Sequence, residues 1–308
     1  MKFLFIGLGS IAGRHITNLK EICPDSHITV LRSGIGKKVS STICEIIDCI
    51  LVNTCELEDW YDAVFITNPT SMHYDTLLRY QDKSNCFFIE KPVFQSGTEN
   101  IRRFLVSDKT YYVACPLRFT NVIQYVKKNI EFSDIYSIRC LSSSYLPEWR
   151  PECDYRDTYS AHKKLGGGVS IDLIHEWDYL HYLIGMPEEV KCFICKKSKL
   201  EIDSDDIAVY IAEYKDKIVE LHLDYFGRET VRKMELFGNE DTIIVDLVKQ
   251  RIEWLKQEKR IDLEQERNEF QKRELEHFLD IINGRCECDN DLEDACEVLR
   301  LARGILRE

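Results

Sequence analysis

Residues 2–12 have the sequence KFLFIGLGSIA, and this stretch decides the fold of the N-terminal part of the chain. Its apolar beginning, Lys2–Ile6, predicts a buried strand, and the residues after it match the G-x-G-x-x-G/A pattern with alanine in the third place. In this pattern Gly7 permits a tight turn, Gly9 lets the backbone approach a pyrophosphate, and Ala12 allows the next helix to pack closely on the strand. The N-terminus of that helix also offers unpaired N–H groups to phosphate oxygens. The predicted phosphate-binding residues are Gly7, Gly9, Ser10, Ile11 and Ala12.

Short apolar runs alternate with helical stretches up to about residue 118. The predicted strands are Lys2–Ile6, His27–Leu31, Ile50–Asn53, Ala63–Thr67, Cys86–Ile89 and Tyr111–Ala114. The predicted helices are Ile11–Glu21, Leu57–Trp60, Ser71–Arg79 and Gly97–Val106. Ser96 and Glu99 have the spacing of a capping box for the last of these helices. Strands that alternate with helices form a parallel sheet covered on both faces, which predicts a doubly wound α/β domain over residues 1–118.

The pattern changes after residue 118. The next predicted elements are a helix at Val122–Asn129, a strand at Ile135–Ser142, a long loop at Ser143–Lys164, a helix at Val169–Leu183 and a strand-rich run from Val190 to about Trp254. Runs of strands beside helices are typical of an α+β domain on an antiparallel or mixed sheet. The sequence therefore predicts a second domain over residues 119–308.

Composition limits the classes of partner. The 308 residues are 44 % hydrophobic and 31 % charged, as expected for a folded protein of about two domains. With 41 Lys+Arg against 53 Asp+Glu the net charge is -12, which argues against nonspecific binding to nucleic acid or to an anionic membrane. The 13 cysteines are irregularly spaced, and the only C-x₂-C pair, Cys192 and Cys195, lies in a predicted strand that turns the two side chains to opposite faces. We therefore expect reduced thiols in a cytoplasmic protein and no metal site.

The end of the second predicted strand bears on which dinucleotide would bind. An NAD site usually carries Asp or Glu there, but this strand ends in Leu31, Arg32 and Ser33, with Lys37 and Lys38 close behind. Arg32 and Ser33 are suited to a 2′-phosphate, so NADP is predicted in preference to NAD. In the alternative interpretation, Arg32 is a surface residue that stacks on adenine.

Further polar residues follow predicted strands or lie on a predicted helix. Thr67, Asn68 and Pro69 close the fourth strand, and Glu90 and Lys91 close the fifth, where ligands of doubly wound sheets bind. Asp172 and His175 are three residues apart in a predicted helix after three consecutive glycines at 166–168, so they share one face. A lysine, a carboxylate and a histidine beside a dinucleotide supply what the oxidation of an alcohol requires. Taken alone, His175 is also compatible with a core histidine.

The loop Ser143–Lys164 concentrates aromatic and basic residues in an otherwise acidic chain. Aromatic rings stack on sugar rings, and arginines bind carboxylate or phosphate groups. The loop is thus a candidate substrate-binding segment, with an oligomer-contact arm as the alternative. The predicted substrate-binding residues are Arg118, Tyr145, Trp149, Arg150, Tyr155, Arg156 and Tyr159.

Both faces of the predicted strand Ile207–Tyr214 carry apolar or aromatic residues. If helices cover only one face of its sheet, the other face needs a second layer, either within the chain or from another subunit.

These motifs together resemble the Gfo/Idh/MocA family of oxidoreductases, named for glucose-fructose oxidoreductase and inositol dehydrogenase. The resemblance covers essentially the whole chain and rests on the glycine turn with Arg14 and His15, the Asn68-Pro69 turn, Glu90-Lys91-Pro92, Arg118-Phe119, the triple glycine and the Asp172/His175 pair. It implies an N-terminal Rossmann domain and a C-terminal domain with a large, open, mostly antiparallel sheet that is often used in dimers or tetramers.

The resemblance also implies roles for individual residues. Lys91 matches the lysine that contacts the substrate hydroxyl and the nicotinamide ribose, Asp172 the carboxylate at the sugar, and His175 the acid/base histidine. The family commonly places the histidine four residues after the aspartate, whereas the spacing here is three. The implied cofactor-binding set adds to the glycine turn Arg32, Ser33, Thr67, Asn68, Pro69, His73, Glu90 and Lys91.

The expected activity is hydride transfer between a nicotinamide cofactor, NADP or NAD, and a hydroxyl or keto group of a sugar. The loop pattern resembles a bacterial subgroup associated with surface polysaccharides and sialic-acid-like sugars, which favours an anionic or nucleotide-linked sugar. Two alternatives remain at this stage: an NAD-assisted glycoside hydrolase of the same fold, and a non-catalytic dinucleotide-binding regulator. Nucleic acid and membrane partners are not expected, whereas a homodimer or homotetramer is.

Overall fold

The computed structural model describes residues 1–34, 41–105 and 108–305. The chain forms two compact units, one of Met1–Pro116 with Asn268–Glu297 and the other of Leu117–Arg267 with Val298–Glu308. The first boundary lies two residues before the predicted 118. Residues 268–297, which the prediction assigned to the second domain, are part of the first unit.

The first unit is built on a six-stranded parallel sheet with the strand order β3-β2-β1-β4-β5-β6. Its strands are β1 (Lys2–Ile6), β2 (His27–Leu31), β3 (Cys49–Leu51), β4 (Ala63–Ile66), β5 (Cys86–Ile89) and β6 (Thr110–Val113). Its helices are α1 (Ser10–Ile22), α2 (Ser41–Glu45), α3 (His73–Tyr80), α4 (Arg102–Leu105) and, much later in the chain, α8 (Glu269–Ile282). This is the predicted doubly wound α/β sheet, whose strand order reverses between β1 and β4.

Aromatic residues explain why α8 belongs to the first unit. Phe278 of α8 is fully buried and its ring lies 5.5 Å from that of Phe65, 5.3 Å from that of Phe88 and 5.7 Å from that of Tyr112. Those three residues lie on β4, β5 and β6, so the apolar face of α8 covers the half of the parallel sheet that these strands form. Leu275, Phe278, Leu279 and Ile282 fall at helical spacing, so the sequence predicts this helix, but it does not indicate which sheet the helix covers.

Two predicted helices of the first unit differ from the structure. Leu57–Trp60 is not helical, and a single 3₁₀ turn at Thr54–Glu56 takes its place. Of Gly97–Val106 only Arg102–Leu105 is α-helical among the described residues. Glu99 accepts hydrogen bonds from the backbone N–H groups of residues 95 and 96, so the expected capping pair closes a loop instead of starting a helix.

The second unit contains an eight-stranded sheet with the order β14-β13-β12-β11-β7-β10-β9-β8. Its strands are β7 (Ile135–Tyr145), β8 (Glu189–Cys195), β9 (Ile207–Tyr214), β10 (Lys217–Asp224), β11 (Phe226–Gly238), β12 (Thr242–Asp246), β13 (Arg251–Trp254) and β14 (Lys259–Asp262). Only β10 and β7 pair in parallel within this sheet, so the predicted mostly antiparallel sheet is confirmed. The helices are α5 (Asn121–Asn129), α6 (Val169–Asp172) and α7 (His175–Ile184), and the unit division falls within α9 (Leu292–Ala302).

The two faces of the large sheet differ in burial. On β9 the even-numbered residues Ala208, Tyr210 and Ala212 are fully buried, and Tyr210 packs edge-to-face on Trp177 of α7. On the opposite face Ile211 is 45 % exposed, and Phe193 on the neighbouring strand is 79 % exposed. Within the residues that the structure describes, the chain therefore leaves apolar groups of this outer face uncovered.

Candidate functional site

The turn between β1 and α1 has the geometry that a phosphate-binding loop requires. Gly7 has φ +99°, and a Cβ there would lie 2.8 Å from the Cα and N atoms of Asn68, so only glycine fits. Among the described residues, a Cβ on Gly9 would meet no atom within 4 Å, and no side chain caps the N-terminus of α1. The turn therefore leaves open space in front of a helix N-terminus, an arrangement that suits the oxygens of a pyrophosphate.

The end of β4 is hydrogen-bonded to this turn, at the point where the strand order of the sheet reverses. The Thr67 hydroxyl lies 3.2 Å from the carbonyl oxygens of both Ile6 and Gly7. The Asn68 amide donates to the hydroxyl of Thr76 on α3 at 2.7 Å. Ligands of doubly wound sheets bind at such a reversal, beyond the carboxyl ends of the strands.

His73 contacts the segment after β4 that contains Asn68. Its ring is 1 % exposed, with Nε2 at 2.9 Å from the carbonyl oxygen of Asn68 and Nδ1 at 3.1 Å from that of Val93. Burial lowers the pKa of this imidazole, and a neutral ring donates to one of the two carbonyls. The structure thus places His73 as a brace between two loops, although the sequence analysis put it among the cofactor-binding residues.

Glu90 links the glycine-turn helix to the predicted catalytic lysine. One carboxylate oxygen lies 2.5 Å from Nε2 of His15 on α1, and the other accepts the backbone N–H of Lys91 at 3.1 Å. Burial alone would raise the pKa of Glu90, but the hydrogen bond with His15 and the charge of Lys91 outweigh it and hold the pKa below its usual value. An ionised Glu90 therefore fixes the backbone of Lys91, whose side chain is half-buried at the end of β5.

The residues predicted to select the dinucleotide follow β2. The Arg32 N–H donates to the carbonyl of Leu51 at 2.8 Å, which extends the pairing of β2 with β3 by one residue. Arg32 is half-buried and Ser33 is exposed. Lys37 and Lys38 lie outside the described residues.

Asp172 and His175 lie on two helices rather than one. The expected helix over 169–183 is interrupted: α6 ends at Asp172, Leu173 has φ −98° and ψ 29°, and α7 begins at His175. Asp172 is buried and His175 is half-buried. The prediction that both residues share one face of a single helix is therefore wrong. Instead, Asp172 ends one helix and His175 begins the next.

Two of the three preceding glycines explain how this segment is held. A Cβ on Gly167 would lie 2.1 Å from the carbonyl oxygen of Tyr159, and Gly168, at φ +137°, would place a Cβ 2.2 Å from a carboxylate oxygen of Asp205. That carboxylate accepts the backbone N–H of Ser170 at 2.9 Å. Close approach of the substrate loop and of Asp205 therefore fixes the start of α6, and with it the position of Asp172.

Tyr225 is a site residue that the sequence analysis missed. It lies between β10 and β11, is fully buried, and donates its hydroxyl hydrogen to Oδ2 of Asp172 at 2.5 Å. Its contact with Asp172 joins residues 53 positions apart, and no local motif marks it.

Arg118 is committed to a contact within the second unit. It is 2 % exposed, with Nη2 at 2.8 Å from Oδ1 and Nε at 3.1 Å from Oδ2 of Asp178. Its guanidinium also lies over the ring of Tyr182 at 5.1 Å. A buried, bidentate ion pair of this kind supports the fold, so the structure gives no support to the predicted substrate contact of Arg118.

Part of the predicted substrate loop surrounds a shallow cleft in the second unit. The cleft is lined by Leu146, Trp149, Arg150, Tyr155, Thr158 and Ser160. Strand β7 extends to Tyr145, so the loop begins later than predicted and forms a series of 3₁₀ turns. The Trp149 indole donates to Ser144 at 2.9 Å and packs edge-to-face on Tyr225 at 5.2 Å.

The two arginines of the loop differ in their contacts. Arg156 bonds Asp154 through Nε and Nη2, and its Nη1 lies 2.8 Å from a carboxylate oxygen of Glu201. Arg150 is exposed, lines the cleft and has no ion pair with a described residue. The loop therefore presents the Arg150 guanidinium to solution, while the carboxylates of its own chain occupy Arg156.

The remaining two predicted substrate residues lie outside the cleft lining. The guanidinium of Arg228 covers the ring of Tyr145 at 3.8 Å, and Tyr159 is 38 % exposed.

The fold and the turn define a two-unit α/β protein whose first unit has a dinucleotide-type phosphate loop at its strand-order reversal. Residues 123–244, within the second unit, match the model of the GFO/IDH/MocA C-terminal domain, and the resemblance seen in the sequence is confirmed.

Known proteins agree with this assignment. An uncharacterized oxidoreductase, YrbE, of Bacillus subtilis is 26 % identical over 187 residues, which cover 58 % of this chain and 52 % of that protein. The alignment thus spans about half the length of this curated relative.

Solved structures match the fold along almost the whole chain. The UDP-N-acetylglucosamine 3-dehydrogenase GnnA of Acidithiobacillus ferrooxidans superposes with a TM-score of 0.76 at 18 % identity, covering 99 % of this chain and 96 % of that one. The WlbA dehydrogenase of Bordetella pertussis, solved with NADH and UDP-GlcNAcA, gives 0.77 at 17 % identity, with 99 % and 95 % covered. A levoglucosan dehydrogenase solved with NADH and levoglucosan gives 0.83 at 15 % identity, with 99 % and 96 % covered. At these identities the likeness establishes the fold, and the predicted fold class is confirmed.

No helix within residues 1–34, 41–105 and 108–305 is both long and apolar enough to cross a membrane.

Proposed function

We propose that this protein is an NAD(P)-dependent oxidoreductase that transfers a hydride between nicotinamide and a hydroxyl or keto group of a sugar. The observation that carries the proposal is the uncapped turn Gly7–Gly9, packed against Asn68 at the reversal of a doubly wound sheet. Lys91 follows the neighbouring strand β5 and is fixed through Glu90. The proposal is further supported by the similar folds of dehydrogenases that were solved with NADH.

Lys91, Asp172 and His175 have separate roles in this proposal. When bound, nicotinamide accepts a hydride from the carbon of the substrate alcohol or returns one to a ketone. His175 takes the proton of the substrate hydroxyl, and Lys91 donates a hydrogen bond that stabilises the developing alkoxide. Asp172 accepts a hydrogen bond from a sugar hydroxyl and so orients the ring.

The first experiment measures NAD(P)H formation with a panel of sugars for the wild type and for Lys91→Ala and His175→Ala. Each variant is expected to lower turnover by ~10²–10⁴-fold, the usual contribution of an acid/base group. Lys191→Ala and His27→Ala are matched controls, because both side chains are exposed and lie outside the proposed site. Near-wild-type turnover of both site variants would contradict the mechanism. Glycoside cleavage with bound cofactor and no net reduction would favour the hydrolase alternative.

The choice between NADP and NAD is a separate proposal, and it favours NADP. It is supported by Arg32 and Ser33 at the end of β2, where a carboxylate would be expected for NAD. Fluorescence titration should give a lower Kd for NADPH than for NADH, and Arg32→Ala should weaken NADPH binding selectively. A clearly lower Kd for NADH in the wild type would overturn this preference.

The proposed substrate is a sugar that carries a carboxylate or phosphate. The cleft supports this through Arg150, which lies beside Trp149 and forms no ion pair with a described residue. Arg150→Ala should raise KM for an anionic sugar by tenfold or more, since an ion pair to a carboxylate or phosphate is lost. Arg156→Ala is the matched control and should leave that KM nearly unchanged, because Asp154 and Glu201 already hold its guanidinium. Equal effects of the two variants would contradict the assignment.

A homodimer or homotetramer is proposed through the outer face of the large sheet. Phe193 is paired with Val209 in register, and Ile211 and Ile218 on the adjoining strands are 45 % and 40 % exposed. Light scattering should give a multiple of the chain mass, and Phe193→Asp should lower it. A monomeric wild type would refute the proposed oligomer.

A further inference from the structure

Tyr225 is held in place through its backbone on both sides. Its N–H donates to the carbonyl of Asp206 at 3.0 Å, and its carbonyl accepts the N–H of Leu146 at 2.9 Å. It is the single residue between β10, which ends at Asp224, and β11, which begins at Phe226. The direction of the side chain is thus fixed by two strands and by the start of the substrate loop.

The phenol ring is equally constrained. The side chain is fully buried, and the Trp149 indole packs on it at 5.2 Å with an interplanar angle of 89°. The hydroxyl donates to Oδ2 of Asp172 at 2.5 Å. One buried tyrosine therefore contacts both the carboxylate proposed to orient the sugar and a tryptophan that lines the cleft.

We infer that Tyr225 is a positioning residue, which holds the Asp172 carboxylate in one orientation. The inference rests on the proposed function, because it assigns Tyr225 a purpose in that reaction. A hydrogen bond donated to a carboxylate favours the charged form and removes the rotational freedom of the group.

The titratable groups around the pair are consistent with a tyrosine that remains a donor. Burial, together with the negative charge of Asp172 and of Asp205, raises the pKa of Tyr225, so the phenol keeps its proton at neutral pH. Asp205 is engaged by the backbone N–H of Ser170, and Asp224 by the Ser143 hydroxyl and by His222. These neighbouring carboxylates thus have donors of their own.

The test compares Tyr225→Phe with Tyr210→Phe. Tyr210 is a matched control, since it is also fully buried, packs edge-to-face on a tryptophan at 5.3 Å, and donates its hydroxyl to a backbone carbonyl, that of Ala302. Tyr225→Phe should lower kcat about tenfold and move the acid limb of kcat/KM up by about one pH unit, as expected when a charged hydrogen bond is lost. The Kd for the dinucleotide should not change. Tyr210→Phe should leave the pH profile unmoved.

A second measurement needs no activity and separates failure of the inference from failure of the proposed function. Urea unfolding of Tyr225→Phe, Asp172→Asn and the double variant forms a cycle in which the two effects should couple by about tenfold in the unfolding equilibrium constant. Additive effects would overturn the inference, as would an active Tyr225→Phe variant with an unmoved pH profile. Coupling without dehydrogenase activity towards any sugar would overturn the proposed function, and with it the catalytic purpose of Tyr225, while establishing the contact itself.

Discussion

Replacement of Arg118 by alanine is expected to destabilise the second unit. The guanidinium is 2 % exposed and makes two hydrogen bonds, of 2.8 and 3.1 Å, to a single carboxylate, that of Asp178. Its removal leaves a buried charge without its partner, which costs about 3–5 kcal/mol. At about 2–4 °C per kcal/mol, the melting temperature should fall by roughly 10 °C.

Circular dichroism melts of Arg118→Ala, Arg118→Lys and Arg139→Ala measure this effect. Arg139 is the matched control: it is 55 % exposed and pairs with Glu220 and Glu235 on the surface, where its loss should cost under about 1 kcal/mol. Arg118→Lys should lie between the other two, because an ammonium group keeps the charge but cannot bond both oxygens in a fork. An Arg118→Ala protein that melts within about 2 °C of the wild type and binds substrate more weakly would refute the structural role and restore the predicted substrate contact.

Three further predictions follow from contacts in the two units. Gly7→Ala should weaken dinucleotide binding and stability together, since its Cβ would meet Asn68 at 2.8 Å. Gly9→Ala should weaken binding alone, because no atom of a described residue lies within 4 Å of its Cβ. Paired titrations and melts of the two variants test this difference. Because the pKa of Glu90 is depressed in the folded state, its stabilising effect is present at pH 7 and lost as the pH falls through that pKa. The difference in unfolding free energy between wild type and Glu90→Gln should therefore be constant around pH 7 and shrink only as the pH falls below about 4.5, the ordinary pKa of a glutamate. A difference independent of pH would contradict the assignment. Gly167→Ala should lower the yield of folded protein in an expression assay, since its Cβ would lie 2.1 Å from a backbone oxygen. Gly284→Ala is the control: its Cβ would meet no atom of the described part of the chain within 4 Å, so it should show only the modest strain of its positive φ.

Local patterns predicted the elements that local interactions decide. The glycine turn, the strands beside it and the apolar face of α8 are visible in the sequence because each depends on residue spacing within one segment. The sheet that α8 covers is not visible, because that choice depends on Phe278 meeting Phe65 and Phe88, far away along the chain.

The candidate site shows the same limit more strongly. Apolar residues at helical spacing continue through 169–183, yet the helix breaks after Asp172. The start of α6 depends on the packing of Gly167 and Gly168 against distant segments, which no local pattern indicates. The composition of the substrate loop predicted that both Arg150 and Arg156 bind substrate. The contact of Arg156 with Glu201 depends on the fold and is not visible in the sequence. No local sequence pattern marks Tyr225 as a candidate site residue, since its place there depends on a hydrogen bond to a carboxylate 53 residues earlier in the chain.

The discontinuity of the first unit has a practical consequence for dissecting the protein. The chain changes unit at 116/117, 267/268 and 297/298, so no single proteolytic cut yields two complete pieces. In a fragment that ends at residue 116, Phe65, Phe88 and Tyr112 would lack the ring of Phe278 that packs on them. Their side chains would form an exposed hydrophobic patch that favours aggregation. Expression of the first unit by itself therefore requires residues 1–116 to be joined to residues 268–297 through a linker. A gene truncated after residue 116 should give aggregates.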